Sequence, residues 1–280
     1  MELPADAYRT SVRLLSESGT PAYRRSGSHD PVTVDSCLVL HPLLAEMLSN
    51  ARFEGAKEVE MRAGARTGER MVVAHPRASR LRLPEGVLSV STAEVRRGKR
   101  VCYHEEAAGR RWQISAGSFF QVRPDGADAL VALVLRAASE ARVVTDLYAG
   151  VGLFAGALAS EDRRVVAVEA NRIAAADARK NLAGLDARIV VSDVARYKAV
   201  PADLVVADPS RAGLRADGVA AALSAGPARL VVVSCDAAAL ARDTVLLAAE
   251  GYDLTTVTPV DLFPHTAHVE CVSIFDRSTD

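Results

Sequence analysis

A cysteine at the tip of an apolar run, two carboxylates and a pair of histidines carry most of the reactive chemistry in this sequence. Cys235 closes the run Val-Val-Val-Ser234-Cys235-Asp236 and precedes a stretch of helical spacing. A thiol there lies near a helix N-terminus, whose dipole favours the thiolate and so a nucleophile. A buried structural thiol is the competing reading for an isolated cysteine in an apolar run, and it is the reading for Cys102 and Cys271. Asp208-Pro209-Ser210-Arg211 follows the preceding apolar run, where an open α/β sheet presents ligand-binding groups. Leu262-Phe263-Pro264-His265-Thr266-Ala267-His268-Val269-Glu270 places two histidines and a glutamate between two further β-rich runs. That spacing matches no common zinc pattern, so no metal is expected. A carboxylate in a partly apolar strand, with its pKa free to rise, suits proton abstraction instead.

The glycine-rich segment Asp146-Leu147-Tyr148-Ala149-Gly150-Val151-Gly152-Leu153-Phe154-Ala155 opens a helix after an apolar run, where absent side chains let a ligand approach the backbone. Gly150-x-Gly152-x-x-Ala155, with Glu169 closing the next run, also satisfies the dinucleotide fingerprint. Two acids favour S-adenosylmethionine over NAD: Asp146, inside the strand before the glycines, and Asp193, after the third strand and suited to an adenine amino group. An acid beside a pyrophosphate seat would repel it. A tight turn made only for packing is the third alternative. Enzymes of this architecture that methylate amines carry Asn/Asp-Pro-Pro-aromatic where this chain has Asp208-Pro-Ser-Arg. The target is therefore expected not to be an exocyclic amine, with Asp208 accepting from a ring N–H such as N3 of uracil.

The elements that must position these groups follow a regular rhythm from Ser118 onward. The spacing predicts a helix over Asp125–Glu140, then strands at Arg142–Leu147, Val165–Glu169, Ala187–Val191, Leu204–Ala207 and Leu230–Ser234. Helices are expected between them at Leu153–Ala159, Arg172–Leu182, Asp217–Ser224 and Ala237–Ala249. Gly184, Gly226 and Gly251 sit where helices should stop. Two β-rich runs, Tyr252–Leu262 and His268–Phe275, end the chain without a helix between them and predict an antiparallel pair added to a mostly parallel, Rossmann-like α/β sheet, the ending of class I methyltransferases. Residues 1–117 read as a small α+β domain, with β-rich runs at Ser11–Leu15, Val32–Val34 and Met71–Ala74, one helix at Pro42–Ala51 and a hairpin turn at Arg25–His29. Residues 118–280 read as the second domain.

The chain has 280 residues, 49% hydrophobic and 25% charged, enough for one large core or two modest ones. Its longest apolar runs are strand-length, far short of the roughly 20 residues that span a bilayer. The first residues lack a signal-peptide pattern, and four scattered cysteines form no disulfide framework, so a cytoplasmic location is expected. The net charge of -1 divides unevenly: residues 1–117 hold 18 Lys/Arg against 14 Asp/Glu, and residues 118–280 hold 16 against 21. This mild basic surplus permits nucleic-acid binding without requiring it. Arg96-Arg97-Gly98-Lys99-Arg100 and Arg110-Arg111 are candidate phosphate tracks, with a solvated loop as the alternative for each.

Taken together, Ser118-Phe-Phe-Gln121-Val, Asp146-Leu-Tyr-Ala-Gly-Val-Gly, Val168-Glu169, Asp208-Pro-Ser-Arg211-Ala-Gly, Ser234-Cys235 with Leu240-Ala-Arg242-Asp243, and Asp261-Leu-Phe-Pro-His-Thr-Ala-His-Val-Glu270 resemble the RNA uracil-C5 methyltransferase family. The match runs from about Tyr8 to Arg277. Bacterial members make 5-methyluridine in tRNA or 23S ribosomal RNA. The resemblance implies that Cys235 adds to C6 of uracil, that C5 takes the methyl group from S-adenosylmethionine, and that Glu270 removes the C5 proton. It also implies donor or base contacts for Gln121, Tyr148, Gly150, Gly152, Glu169 and Asp208, with Asp193 at the adenine. Phe119 is the candidate to stack on a flipped base, and Arg211 and His265 join it and Asp208 as substrate contacts.

Three departures from the family pattern stand out. Asp236-Ala237 replaces the Asn-Pro of many members and puts a negative charge beside the thiolate. Leu153 stands where some members have a donor-contacting Asn. Members commonly carry an N-terminal iron–sulfur cysteine cluster, and some a preceding RNA-binding barrel; this chain begins after both. Cys37 matches one cluster ligand, and a single cysteine cannot hold such a cluster, so none is expected. The expectation is a monomeric RNA 5-methyluridine synthase, with ribosomal RNA ahead of tRNA as substrate. The alternatives are an RNA-binding or assembly factor that retains the fold without efficient catalysis and, more distantly, an NAD-dependent enzyme.

Overall fold

The computed structural model describes residues 1–28, 30–138 and 140–278. In chain order the strands are β1 (Ser11–Glu17), β2 (Thr20–Arg24), β3 (Pro31–Val32), β4 (Arg52–Glu54), β5 (Glu58–Ala63), β6 (Arg70–His75), β7 (Arg80–Arg82), β8 (Val87–Ser91), β9 (Cys102–Ala107), β10 (Arg110–Ser115), β11 (Val143–Leu147), β12 (Arg164–Glu169), β13 (Ala187–Val191), β14 (Leu204–Ala207), β15 (Arg229–Ser234), β16 (Tyr252–Val260) and β17 (Glu270–Arg277). The helices are α1 (Pro42–Asn50), α2 (Thr92–Arg96), α3 (Pro124–Ala137), α4 (Leu153–Leu158), α5 (Arg172–Asn181), α6 (Arg215–Leu223) and α7 (Ala237–Ala249). Among the described residues no helix is long and apolar enough to cross a membrane.

The chain forms two units, each drawing on more than one segment. Met1–Leu3, Ser118–Phe120 and residues from Asp125 on form one; Pro4–Gly117 and Gln121–Pro124 form the other. Specific bonds explain the exchange. The Thr10 backbone N–H and hydroxyl both donate to the Val122 carbonyl, at 2.7 and 2.8 Å, and Arg123 lies 4.6 Å over the Tyr8 ring. In the other unit the Met1 ammonium donates to Pro259 at 2.7 Å, and Asp261 N–H donates to Met1 at 3.0 Å.

The N-terminal unit is built on a six-stranded sheet in the order β3-β2-β1-β5-β6-β8, with α1 packed on it through buried Leu44, Met47 and Leu48. The hairpin expected at residues 25–29 joins β2 to β3, although His29 lies outside the described residues. Arg110 and Arg111 are strand residues, not a loop: they open β10, which pairs antiparallel with β9 around buried Trp112.

The C-terminal unit is one seven-stranded sheet in the order β13-β12-β11-β14-β15-β17-β16. The first five strands run parallel, and β17 is antiparallel to both β15 and β16. β14, Leu-Val-Val-Ala, is buried at every position, as a central parallel strand covered on both faces must be. Leu147, Val205, Val232 and Phe275 share its core. The helix expected to reach Glu140 ends at Ala137; Ser139 lies outside the described residues. The order of connection reverses between the parallel neighbours β11 and β14, a topological switch point at the carboxyl ends of the strands, where such sheets bind ligands.

Candidate active site

At the end of β11 the chain turns into α4 through residues 148–152. Tyr148 (φ +61°), Gly150 (φ +57°) and Gly152 (φ +94°) all have left-handed backbone. Glycine does this freely, whereas Tyr148 is strained there, a condition that clusters at functional turns. Glu169, at the end of β12, ties the turn down: Oε2 accepts from Gly150 N–H at 2.8 Å and Oε1 from Asn171 N–H at 2.6 Å. Asn181 Nδ2 adds a bond to the Val151 carbonyl at 3.0 Å. A Cβ added to Gly150 would meet nothing within 4 Å, so open space lies over the turn, while one on Gly152 would meet Leu182 at 3.1 Å.

Asp146 is completely buried beneath this turn. Its Oδ2 accepts from Ala155 N–H at 2.9 Å and its Oδ1 has no partner. Burial pushes its carboxyl well above the usual range against the bond from Ala155, and the charges of Asp208 and Glu169 add to the push. Asp193 is exposed after β13, with Oδ1 accepting from Ala195 N–H at 2.9 Å. The Tyr148 phenol, raised first by burial and then by Asp193, points toward α6, where a Cβ on Gly218 would stand 2.9 Å from its oxygen. Leu153 is buried and offers the turn no polar side-chain group. Gln121, also buried, belongs to the N-terminal unit.

Cys235 follows β15 directly, and α7 begins two residues later. Asp236 is the N-cap of α7: its Oδ1 accepts from Ala239 N–H at 2.8 Å. Its carboxylate thus serves the helix. The expectation that the helix terminus depresses the thiol pKa is corrected by the structure. Burial, then Glu270 and Asp208, push the Cys235 thiol up, with Arg211 and the backbone opposing them. Glu270 heads β17, only 4% exposed, with Oε1 unpartnered. Burial and then Asp208 push its carboxyl up to about 8. β15 pairs Ser234 with Cys271, so the antiparallel register puts Glu270 opposite Cys235.

The remaining candidates divide by burial. Asp208 is half-buried past the tip of β14, and Arg211 is exposed in the loop after it. Phe119 is 63% exposed, held by its neighbour Ser118, whose hydroxyl donates to buried Asp177 at 2.7 Å. His265 is exposed at φ +64° in a turn closed by Thr266 N–H to the Phe263 carbonyl at 3.1 Å. Asp177 and Asp243 are buried acids for which sequence reasoning found no role. Their signal was an acid on an otherwise apolar helix face.

The strand order, the turn after β11 and the acids at the parallel strand ends define a class I S-adenosylmethionine-dependent methyltransferase domain. The family model for the methyltransferase small domain matches residues 112–230. Two proteins named as uncharacterised RNA methyltransferases, from Streptomyces avermitilis and Streptomyces coelicolor, are 36% and 35% identical, each across 98% of this chain. The chain spans 69% and 65% of their lengths. It belongs to the RNA methyltransferase family. The structure of Pyrococcus abyssi tRNA (uracil-54, C5)-methyltransferase with S-adenosyl-L-homocysteine matches at a TM-score of 0.78 and 25% identity, over 97% of this chain and 76% of that one.

S-adenosylmethionine is the methyl donor of this family. The open space above Gly150 and the Glu169 carboxylate that ties down the turn suit a donor with ribose hydroxyls.

Proposed function

We propose that the protein methylates C5 of a uridine in RNA through a covalent adduct between Cys235 and C6. The observation that carries this reading is the placement of Cys235 and Glu270 on facing register positions, with Asp208 close enough to act on both. A thiol and a buried carboxyl of raised pKa are the nucleophile and base that C5 chemistry requires. The P. abyssi neighbour, a tRNA (uracil-54, C5)-methyltransferase, points to the same reaction.

The Cys235 thiolate forms a bond to C6, and the C5–C6 π pair moves onto C5 and O4. Asp208 accepts from N3–H and orients the ring, while Phe119 stacks on a base flipped from its helix. Gly150, Gly152, Glu169, Asp193 and Tyr148 would hold the donor, which would supply the methyl group to C5 as its S–CH3 bond broke and the electron pair stayed on sulfur as a neutral thioether. The Glu270 carboxylate then takes the C5 proton, the pair left on C5 re-forms the double bond, and the C6–S bond breaks to return the thiolate. Arg211 and His265 are both exposed, and in this reading they contact the RNA. Ribosomal RNA is the first substrate to test and tRNA the second, with the protein acting as a monomer.

The test is incubation with labelled donor and RNA containing 5-fluorouridine, whose C5 fluorine cannot be removed as a proton. A denaturation-resistant protein–RNA complex is expected. Its absence, or its survival in Cys235→Ala, refutes the proposal. Mapping 5-methyluridine in total RNA from cells with and without the gene then identifies the substrate.

A further inference from the structure

The loop that carries Asp208 and Arg211 runs from β14 into α6 with a demanding backbone: Gly213 has φ +70° and Arg215 φ +57°. Its polar anchors come from the middle of α7. Asp243, 1% exposed, accepts from Leu214 N–H through Oδ2 at 2.6 Å and from Arg215 N–H through Oδ1 at 3.1 Å. Arg242 donates from Nη2 to the Ala212 carbonyl at 2.6 Å and to Asp243 Oδ1 at 2.9 Å. The fit leaves no spare room, because a Cβ on Gly213 would stand 2.3 Å from Asp243 Oδ2 and 2.6 Å from Arg242 Nη2.

A buried carboxylate is tolerated only when its acceptors are filled, and here the loop amides and Arg242 fill them. The same helix begins with the Asp236 cap, immediately behind Cys235. One rigid element therefore carries, at its start, the residue next to the thiol and, two turns on, the clamp on the loop.

We infer that Arg242 and Asp243 are positioning residues for the RNA substrate, holding the Asp208–Arg211 loop in register with Cys235. They touch neither donor nor base. The inference rests on the RNA methylation reading, and it concerns how the base is presented, not which base is taken.

The test compares wild type with Asp243→Asn, Arg242→Lys and Arg242→Ala, following labelled methyl transfer to RNA, donor affinity by calorimetry and amide hydrogen exchange of residues 212–215. In Asp243→Asn a loop amide loses its acceptor. Turnover should fall and the KM for RNA should rise, together by up to about 100-fold, the cost of displacing a positioned group by about 1 Å. Donor affinity should be unchanged, and exchange at residues 212–215 should accelerate. Arg242→Lys, which retains a donor, should restore part of what Arg242→Ala loses. Donor affinity falling in step with turnover, or wild-type kinetics in folded Asp243→Asn or Arg242→Ala, overturns the inference. Should wild type methylate a base other than uridine, the uracil proposal falls while this test still reads label transferred to RNA.

Discussion

Cys235 and Glu270 stand opposite each other across β15 and β17, one register step beyond the Ser234–Cys271 pair, and Glu270 is the first charge that opposes ionisation of the thiol. A thiolate and a carboxylate near one another are costly to hold together, so ionisation of Glu270 works against ionisation of the thiol. With Glu270 up at about 8, its neutral form dominates at neutral pH and leaves the thiol less opposed.

Methyl transfer should therefore gain rate as pH rises through about 8, because both groups work in their deprotonated forms. A pH–rate profile checks this. A rate already flat from about pH 6 upward would contradict a buried Glu270 as base.

Replacing Glu270 with Gln should separate addition from elimination. Cys235 still adds, C5 keeps its proton, and adduct accumulates on ordinary RNA; unimpaired turnover would remove Glu270 from its role. Stability should move the other way. The folded pKa lies above the ordinary 4.5, so the folded state binds the extra proton and wild-type stability falls as pH rises from about 4.5 to about 8. Glu270→Gln should thus melt higher than wild type above about pH 8, by an amount on the order of a few kcal/mol at most, and match it near about pH 4.

Asp236 should affect the helix and not the thiol. Asp236→Ala removes the α7 cap and should cost about 1 kcal/mol of stability. The pH dependence of Cys235 alkylation should stay where it is in wild type, and a shift toward lower pH would show that the carboxylate acts on the thiol after all.

The two loop glycines should fail differently. Alanine at Gly150 meets no protein atom and pays only about 1–2 kcal/mol of left-handed strain. Its methyl group enters the open space over the turn, so donor affinity should drop while the fold survives. Alanine at Gly152 crowds Leu182 at 3.1 Å as well, and its loss should be mainly in melting temperature. Equal donor affinity in Gly150→Ala and wild type would move the donor elsewhere.

The C-terminal unit was legible because its central strands are buried on both faces: Leu204–Ala207, buried at every position, has the bounds its apolar run predicts. The N-terminal unit was less so: β9 and β10 carry Glu105, Glu106, Arg110 and Arg111, and charges in a strand hide its period. Buried Glu105 is there to accept from Ala65 and Arg66 N–H at 2.7 and 3.0 Å, a tertiary role that local pattern cannot express. In the site, Cys235 and Asp208 could be placed because both follow strand ends. The sign of the thiol shift could not, because it depends first on burial in the folded site and then on Glu270, 35 residues away and brought alongside only by β17. Asp243 was invisible as a clamp for the same reason, its partners being 28 and 29 residues earlier.

The position of β17 sets a timing on this protein. It is the last strand among the described residues, yet it lies inside the sheet, between β15 and β16, and brings both Glu270 and the fully buried Phe275. A nascent chain still missing those residues already holds the thiol, the glycine turn and the loop clamp, but has neither the base nor the strand that covers β15. On the proposed mechanism such a chain carries the nucleophile for addition without the base for elimination.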